Sequence, residues 1–143
     1  MSGCFYQRGP MSKRIRVWHI EDDPLQQDSL RQNTEELLEV KFDWESFNCI
    51  MDACRSREPA PDYIIFDVGS IGLMQSDQTY LSAFHRLRDS FPHTPMLLVS
   101  FLPHLPAMIR QEFPDDQLIY PLTDHNLYVA VAEKLAQLEG LTL

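Results

Sequence analysis

The chain has 143 residues, a hydrophobic fraction of 44% and a formal net charge of −9. This length supports one hydrophobic core rather than two. The acidic balance argues against nucleic acid or an anionic membrane as the main partner, because both reward clustered Lys and Arg, and no apolar run approaches the ~20 residues of a membrane span.

The opening MSGCFYQRGP lacks the apolar centre of a secretion signal, and a second Met-Ser-Lys begins at Met11. Residues 1–12 therefore read as an upstream extension or expression remnant, and 13–143 as the domain. Cys4, Cys49 and Cys54 are odd in number and lack a companion metal-ligand pair, so reduced thiols in a cytoplasmic protein are expected.

Residues 15–20 form a short β-prone run. Pro24 suits a first helical position, with Asp23 as its N-cap, and predicts a helix over 24–38 with Leu25, Leu30, Leu37 and Leu38 inward. Residues 40–47 alternate loosely through Val40, Phe42 and Trp44, as in a half-exposed strand. A short helix over 48–57 ends before Pro59-Ala60-Pro61. Residues 62–66 are a continuous apolar run, the pattern of a strand covered on both faces.

Gly69 and Gly72 interrupt the chain after this strand, and Ser76 or Asp77 caps a helix with the stripe Tyr80, Phe84, Leu87 and Phe91. Another buried strand spans 96–99 and ends at Ser100, and Pro103 and Pro106 introduce a helix over 107–113. A last strand over 118–120 is stopped by Pro121, and Thr123 or Asp124 caps a final helix with Leu127, Val131, Leu135 and Leu138 inward. Five βα units predict an α/β, doubly wound parallel sheet with helices on both faces. Ligands of such sheets bind beyond the carboxyl ends of the strands, near the topological switch point.

Two of these strands deliver carboxylates to that edge: Glu21-Asp22-Asp23 after IRVWHI, and Asp67 after YIIF. Gathered carboxylates repel one another, and a hard divalent cation relieves them, which is equipment for phosphoryl chemistry. Asp23 before Pro24 is assigned to capping. His19 shares the face of Glu21 but reads as a satisfied core residue, and the remaining histidines show no zinc spacing. Trp18 and Trp44 read as core or sheet-face residues.

From Lys13 to Leu138 the chain resembles the receiver domain of bacterial two-component response regulators. IRVWHIEDDP is similar to the family's first strand and acid pair, PDYIIFD to its third strand and acceptor, PMLLVS to its fourth strand and switch hydroxyl, and DDQLIYPL to its final strand. The resemblance implies a flavodoxin-like (βα)5 sandwich of strand order 2-1-3-4-5. It implies Asp67 as acceptor of a phosphoryl group from a histidine kinase or phosphotransfer protein, and Ser100 as the switch hydroxyl. It further implies Mg²⁺ in a pocket of Glu21, Asp22, Asp67 and the Gly69 carbonyl. The face built by the fourth helix, fifth strand and fifth helix is the implied surface for a homodimer or an output contact, with Leu105, Met108 and Tyr128 either there or in the core.

The departures from the family pattern fall on its activation half. Tyr120 occupies the place of the lysine before Pro121, Gln117 that of the aromatic switch, and Phe101 that of a small residue beside the phosphate entrance, where it either crowds the entrance or buries itself. Two readings result: a single-domain receiver of a phosphorelay, or a phosphorylation-independent pseudo-receiver acting through protein contacts. An enzyme is not expected, since a hydrolase with an aspartate nucleophile wants a second acid two residues later, where Gly69 stands. The chain either acts alone or is cut from a longer protein.

Overall fold

A computed structural model describes residues 14–69, 76–123 and 126–142. Expectations that fall on residues 1–12, Cys4, Gly72, Asp124 and His125 lie outside the described residues. The elements in order are β1 (Arg16–Ile20), α1 (Pro24–Leu38), β2 (Asp43–Phe47), α2 (Ile50–Arg55), β3 (Tyr63–Asp67), α3 (Asp77–Ser90), β4 (Met96–Val99), α4 (His104–Glu112), β5 (Ile119–Pro121) and α5 (Leu127–Glu139). The five strands form one parallel sheet of order β2-β1-β3-β4-β5, the flavodoxin-like arrangement.

Successive strand residues point to opposite faces, and both faces are covered. Val17, Ile65, Leu97 and Val99 enter one core cluster, with Val131 and Leu135 of α5 and Leu30 of α1. Trp18, Ile20, Phe66, Met96 and Leu98 enter the other, with Phe84 and Leu87 of α3 and Ile109 of α4. No helix of the described residues is long and apolar enough to cross a membrane.

Asp23 caps α1 as expected, its carboxylate accepting from Leu25 N–H, and Pro24 opens the helix. The inward face differs from expectation. It is Leu30, Thr34, Glu35 and Leu38, while Leu25 and Leu37 are 76% and 42% exposed. Leu30, Thr34, Leu38 and Glu35 set the centre of the inward face, so Leu37 lies at its margin and Leu25 on the opposite side of the helix. Buried Glu35 is held there by accepting from Phe42 N–H at 2.9 Å, with Arg31 3.3 Å away.

Ser76 caps α3, whose stripe of Tyr80, Phe84 and Leu87 is buried. Helix α4 begins at His104, before Pro106, because a proline in the first turn lacks only an N–H that has no helical acceptor. Pro121 does not stop β5 but belongs to it, pairing with Leu98, and Leu122 N–H continues the ladder to the Leu98 carbonyl at 2.9 Å. A proline is tolerated there because β5 is an edge strand. Asn126 caps α5 through Val129 N–H.

Candidate functional site

The sheet order places the switch point between β1 and β3, whose crossovers run to opposite sides. His19 is level with Ile65 and Ile20 with Phe66, so one further step brings Glu21 beside Asp67 at the carboxyl edge. Both residues share the face of His19 by the two-residue period. Asp67 is in turn level with Val99, which sets Ser100 just beyond it.

Glu21 and Asp67 are buried, and their carboxyl groups are hydrogen-bonded to each other. Burial pushes the Glu21 carboxyl up to about 9, with the Asp67 carboxyl reinforcing the shift. Burial also raises the Asp67 carboxyl, while the hydrogen bonds from Glu21 and from Gly69 N–H oppose it. Both shifts run upward for the same cause, the removal of two acids from water side by side. Asp23 N–H donates to Glu21 Oε2 at 3.1 Å, which ties the pocket to the start of α1.

An open pocket of about 300 Å³ lies over the pair, and Glu21, Asp22, Asp67, Gly69, Ser100 and Phe101 line it. A Cβ built on Gly69 would stand 3.6 Å from Asp67 Oδ1 and 3.9 Å from Ser100 Oγ, so those two oxygens face the same small space. Ser100 Oγ accepts from Leu102 N–H at 2.9 Å, which folds the loop after β4. Phe101 lies at the rim, 76% exposed, so it neither fills the entrance nor buries itself.

The donor set is all oxygen, which suits Mg²⁺, an ion that keeps several of its waters and needs few protein ligands. Among the described residues, no group of three or more His, Cys, Asp or Glu stands ready around a single metal position. The oxygens thus fit an ion that relies on water for much of its shell.

Tyr120 is brought elsewhere. It is not among the described residues lining the pocket; it packs against the α1/α5-side core, with Lys134 Nζ 5.1 Å from its ring centroid. Gln117 is exposed. Leu105 is fully buried, Met108 packs against the core, and half-buried Tyr128 donates its hydroxyl to Gln26 Oε1 in α1. Of the two readings for these three residues, Leu105 takes the core.

His19 is 2% exposed, but its Nδ1 has no hydrogen-bond partner, so it is a core residue that is not satisfied. Burial drops its imidazole to about 4. Sequence reasoning also missed Arg88, whose position on the inner stripe of α3, one residue after Leu87, was the available signal.

No protein-family model matches the chain, and no curated protein matches it. Solved structures do. The response regulator RcsB from Salmonella typhimurium superposes with a TM-score of 0.68 at 14% identity, over 89% of this chain and 60% of that one. The BeF3-activated DrrB receiver domain gives 0.62 at 13% identity, over 90% of this chain and 99% of that one. The receiver domain of PhyR from Erythrobacter litoralis gives 0.59 at 16%, over 90% and 92%. The chain thus spans three-fifths of the RcsB chain and nearly the whole of the isolated receiver domains. At these identities the likeness is one of fold, and the fold is that of a response-regulator receiver domain.

Proposed function

We propose that this chain is a receiver of a two-component phosphorelay, with Asp67 as the phosphoryl acceptor. The observation that carries the reading is the buried Glu21–Asp67 carboxyl pair at the switch point of a receiver fold, under an open pocket. In the proposed transfer, an Asp67 oxygen forms a bond to phosphorus, and the bond from phosphorus to the donor histidine nitrogen breaks. The leaving imidazole keeps the electron pair and takes a proton. Asp22, Asp67 and the Gly69 carbonyl are the proposed holders of Mg²⁺, which when bound neutralises the charge that the acceptor and the phosphoryl group would otherwise set against each other.

Glu21 holds the proton that spares the pocket the full repulsion of its acids, and releases it as a cation enters. Ser100 exchanges its bond from Leu102 N–H for one donated to a phosphoryl oxygen, which couples the site to the loop before α4. The histidine kinase or phosphotransfer protein presents its phosphohistidine at the mouth beside Phe101. The role is acceptance rather than catalytic turnover of phosphate esters. Self-association through the α4–β5–α5 face would use polar and half-buried side chains, since Leu105 is withdrawn into the core.

Incubation with Mg²⁺ and a small acyl-phosphate donor, followed by intact-mass measurement, tests the proposal. One phosphoryl adduct on the wild type and none on Asp67→Asn is expected. Absence of an adduct, under conditions that label an ordinary receiver, rejects phosphotransfer.

A pseudo-receiver is the second reading, favoured by Tyr120 being committed to Lys134. It requires partner binding that survives Asp67→Asn and the removal of Mg²⁺.

A further inference from the structure

The sheet ends in β2 on one side and β5 on the other, and the two edges are finished differently. The β5 edge is blunted: Pro121 has no N–H to offer, and the outward Ile119 carbonyl accepts from Arg110 at 3.0 Å. In β2, Asp43 N–H donates to the Ile15 carbonyl, and the Phe47 carbonyl accepts from Glu21 N–H, both at 2.9 Å. The two-residue period therefore turns the backbone groups of Asp43, Glu45 and Phe47 towards β1, and those of Trp44 and Ser46 outwards. Phe42, at the foot of this edge, is closed, with its N–H donating to Glu35 at 2.9 Å and its carbonyl accepting from Arg14 at 2.7 Å. Among the described residues, nothing covers the N–H and C=O groups of Trp44 and Ser46.

Open edge groups accept a strand from any extended backbone, and the side chains choose which one. Glu45, between Trp44 and Ser46, is exposed and has no cation partner among the described residues. Asp43, on the same face, is already paired with Arg16 at 3.2 Å. An added strand sets one residue directly opposite Glu45, where an opposite charge is favourable and a like charge unfavourable. That rule disfavours a second copy of this chain. A two-fold antiparallel pairing that uses Trp44 and Ser46 of both copies has its axis at Glu45, which then faces its own counterpart between chains of net charge −9. A basic strand meets the same edge with attraction at short and long range.

We propose that the open edge of β2 at Trp44 and Ser46 takes an extended basic peptide of a partner protein as an added strand, with a Lys or Arg opposite Glu45. The peptide residues on either side of that cation exchange backbone hydrogen bonds with Trp44 and Ser46, and their apolar side chains lie on the face of half-buried Trp44. The proposal stands apart from phosphoryl transfer, because none of these residues lines the pocket over Glu21 and Asp67.

The full chain is titrated at low ionic strength with the end-capped peptide Thr-Val-Lys-Val-Thr, and its backbone amides are followed by NMR. Saturable shifts of the Trp44 and Ser46 amides are expected, with slowed hydrogen exchange at both. The same peptide with Glu in place of Lys should bind about fivefold more weakly. Glu45→Lys leaves the backbone edge intact and should reverse the order of the two peptides. Ser46→Pro removes an outward N–H without breaking a bond of the sheet and should abolish the response. Unsaturable shifts, equal affinity for the two peptides, or no reversal in Glu45→Lys overturns the proposal. So does slow exchange of the Trp44 and Ser46 amides in the free monomer, which would show the edge covered by the chain itself. A dimer in sedimentation that Ser46→Pro disperses would give the edge to a second copy and overturn it equally.

Discussion

Lys134 holds its ammonium 5.1 Å from the centre of the Tyr120 ring, so the tyrosine before Pro121 is engaged by a cation on α5 instead of supplying one to the acids. The two half-exposed groups should couple by about 0.5–1 kcal/mol. A double-mutant cycle of Tyr120→Leu and Lys134→Met, read by urea unfolding, measures this directly. Coupling near zero would show the contact to be incidental.

The same relationship predicts the effect of restoring a lysine. Tyr120→Lys alone sets two ammonium groups close together, so it should be less stable than the Tyr120→Lys, Lys134→Gln double variant. If Asp67 accepts phosphoryl groups, the double variant should accumulate several-fold more adduct than wild type by intact mass. Equal yield would show that position 120 does not address the acceptor.

Stability should depend on pH through buried groups of opposite sign, the raised Glu21 and Asp67 carboxyls and the lowered His19 imidazole. Glu21 keeps its proton up to about 9 in the folded chain but titrates near 4.5 when free, so its contribution is complete below 4.5 and lost as pH rises towards 9. His19 is lowered from 6.5 to about 4, so its contribution grows as pH rises through that window. The two oppose one another in the acid range, and above pH 6.5 only the carboxyl trend remains. The urea midpoint of wild type should therefore fall between about pH 6.5 and 9, and fall much less in Glu21→Gln. Identical slopes would contradict a proton held on Glu21.

Mg²⁺ affinity should rise over the same interval, because the cation must displace that proton. Displacing one proton strengthens binding by up to about tenfold per pH unit. Calorimetry in two buffers of different ionisation enthalpy would count the protons released, and a count of zero at pH 7 would rule out exchange of metal for proton.

Arg88 is 6% exposed and commits its guanidinium to Asp116, at 2.7 and 3.0 Å, and to the carbonyls of Phe91 and Thr94, at 2.9 and 2.7 Å. It ties the end of α3 to the turns before β4 and β5. Arg88→Ala should cost about 3–5 kcal/mol, since it leaves a carboxylate and two carbonyls without their donor. Arg88→Lys should recover little, because an ammonium cannot match the planar fork. Denaturant unfolding decides this, and a loss under about 1 kcal/mol would mean that water replaces the guanidinium freely.

The five βα units, their prolines at or near boundaries and the Asp23 cap were legible along the chain because each is a local property. Residue spacing sets which face is apolar, a missing N–H sets where a helix can begin, and a short carboxylate beside a first turn sets the cap. The placing of Glu21, Asp22, Asp67 and Ser100 at strand ends was legible for the same reason. Pairings across the sheet were not. That Glu21 and Asp67 meet as a carboxyl pair depends on the register of β1 against β3, and that Tyr120 meets Lys134 depends on how α5 lies over the edge strand. That Arg88 finds Asp116 depends on two turns brought together by packing, and the unpartnered His19 Nδ1 on what surrounds it in the core. Local patterns prescribe which residues reach the carboxyl edge; register, side-chain rotamer and burial prescribe which of them touch, and hence which hold a charge, meet as a pair or line a cavity.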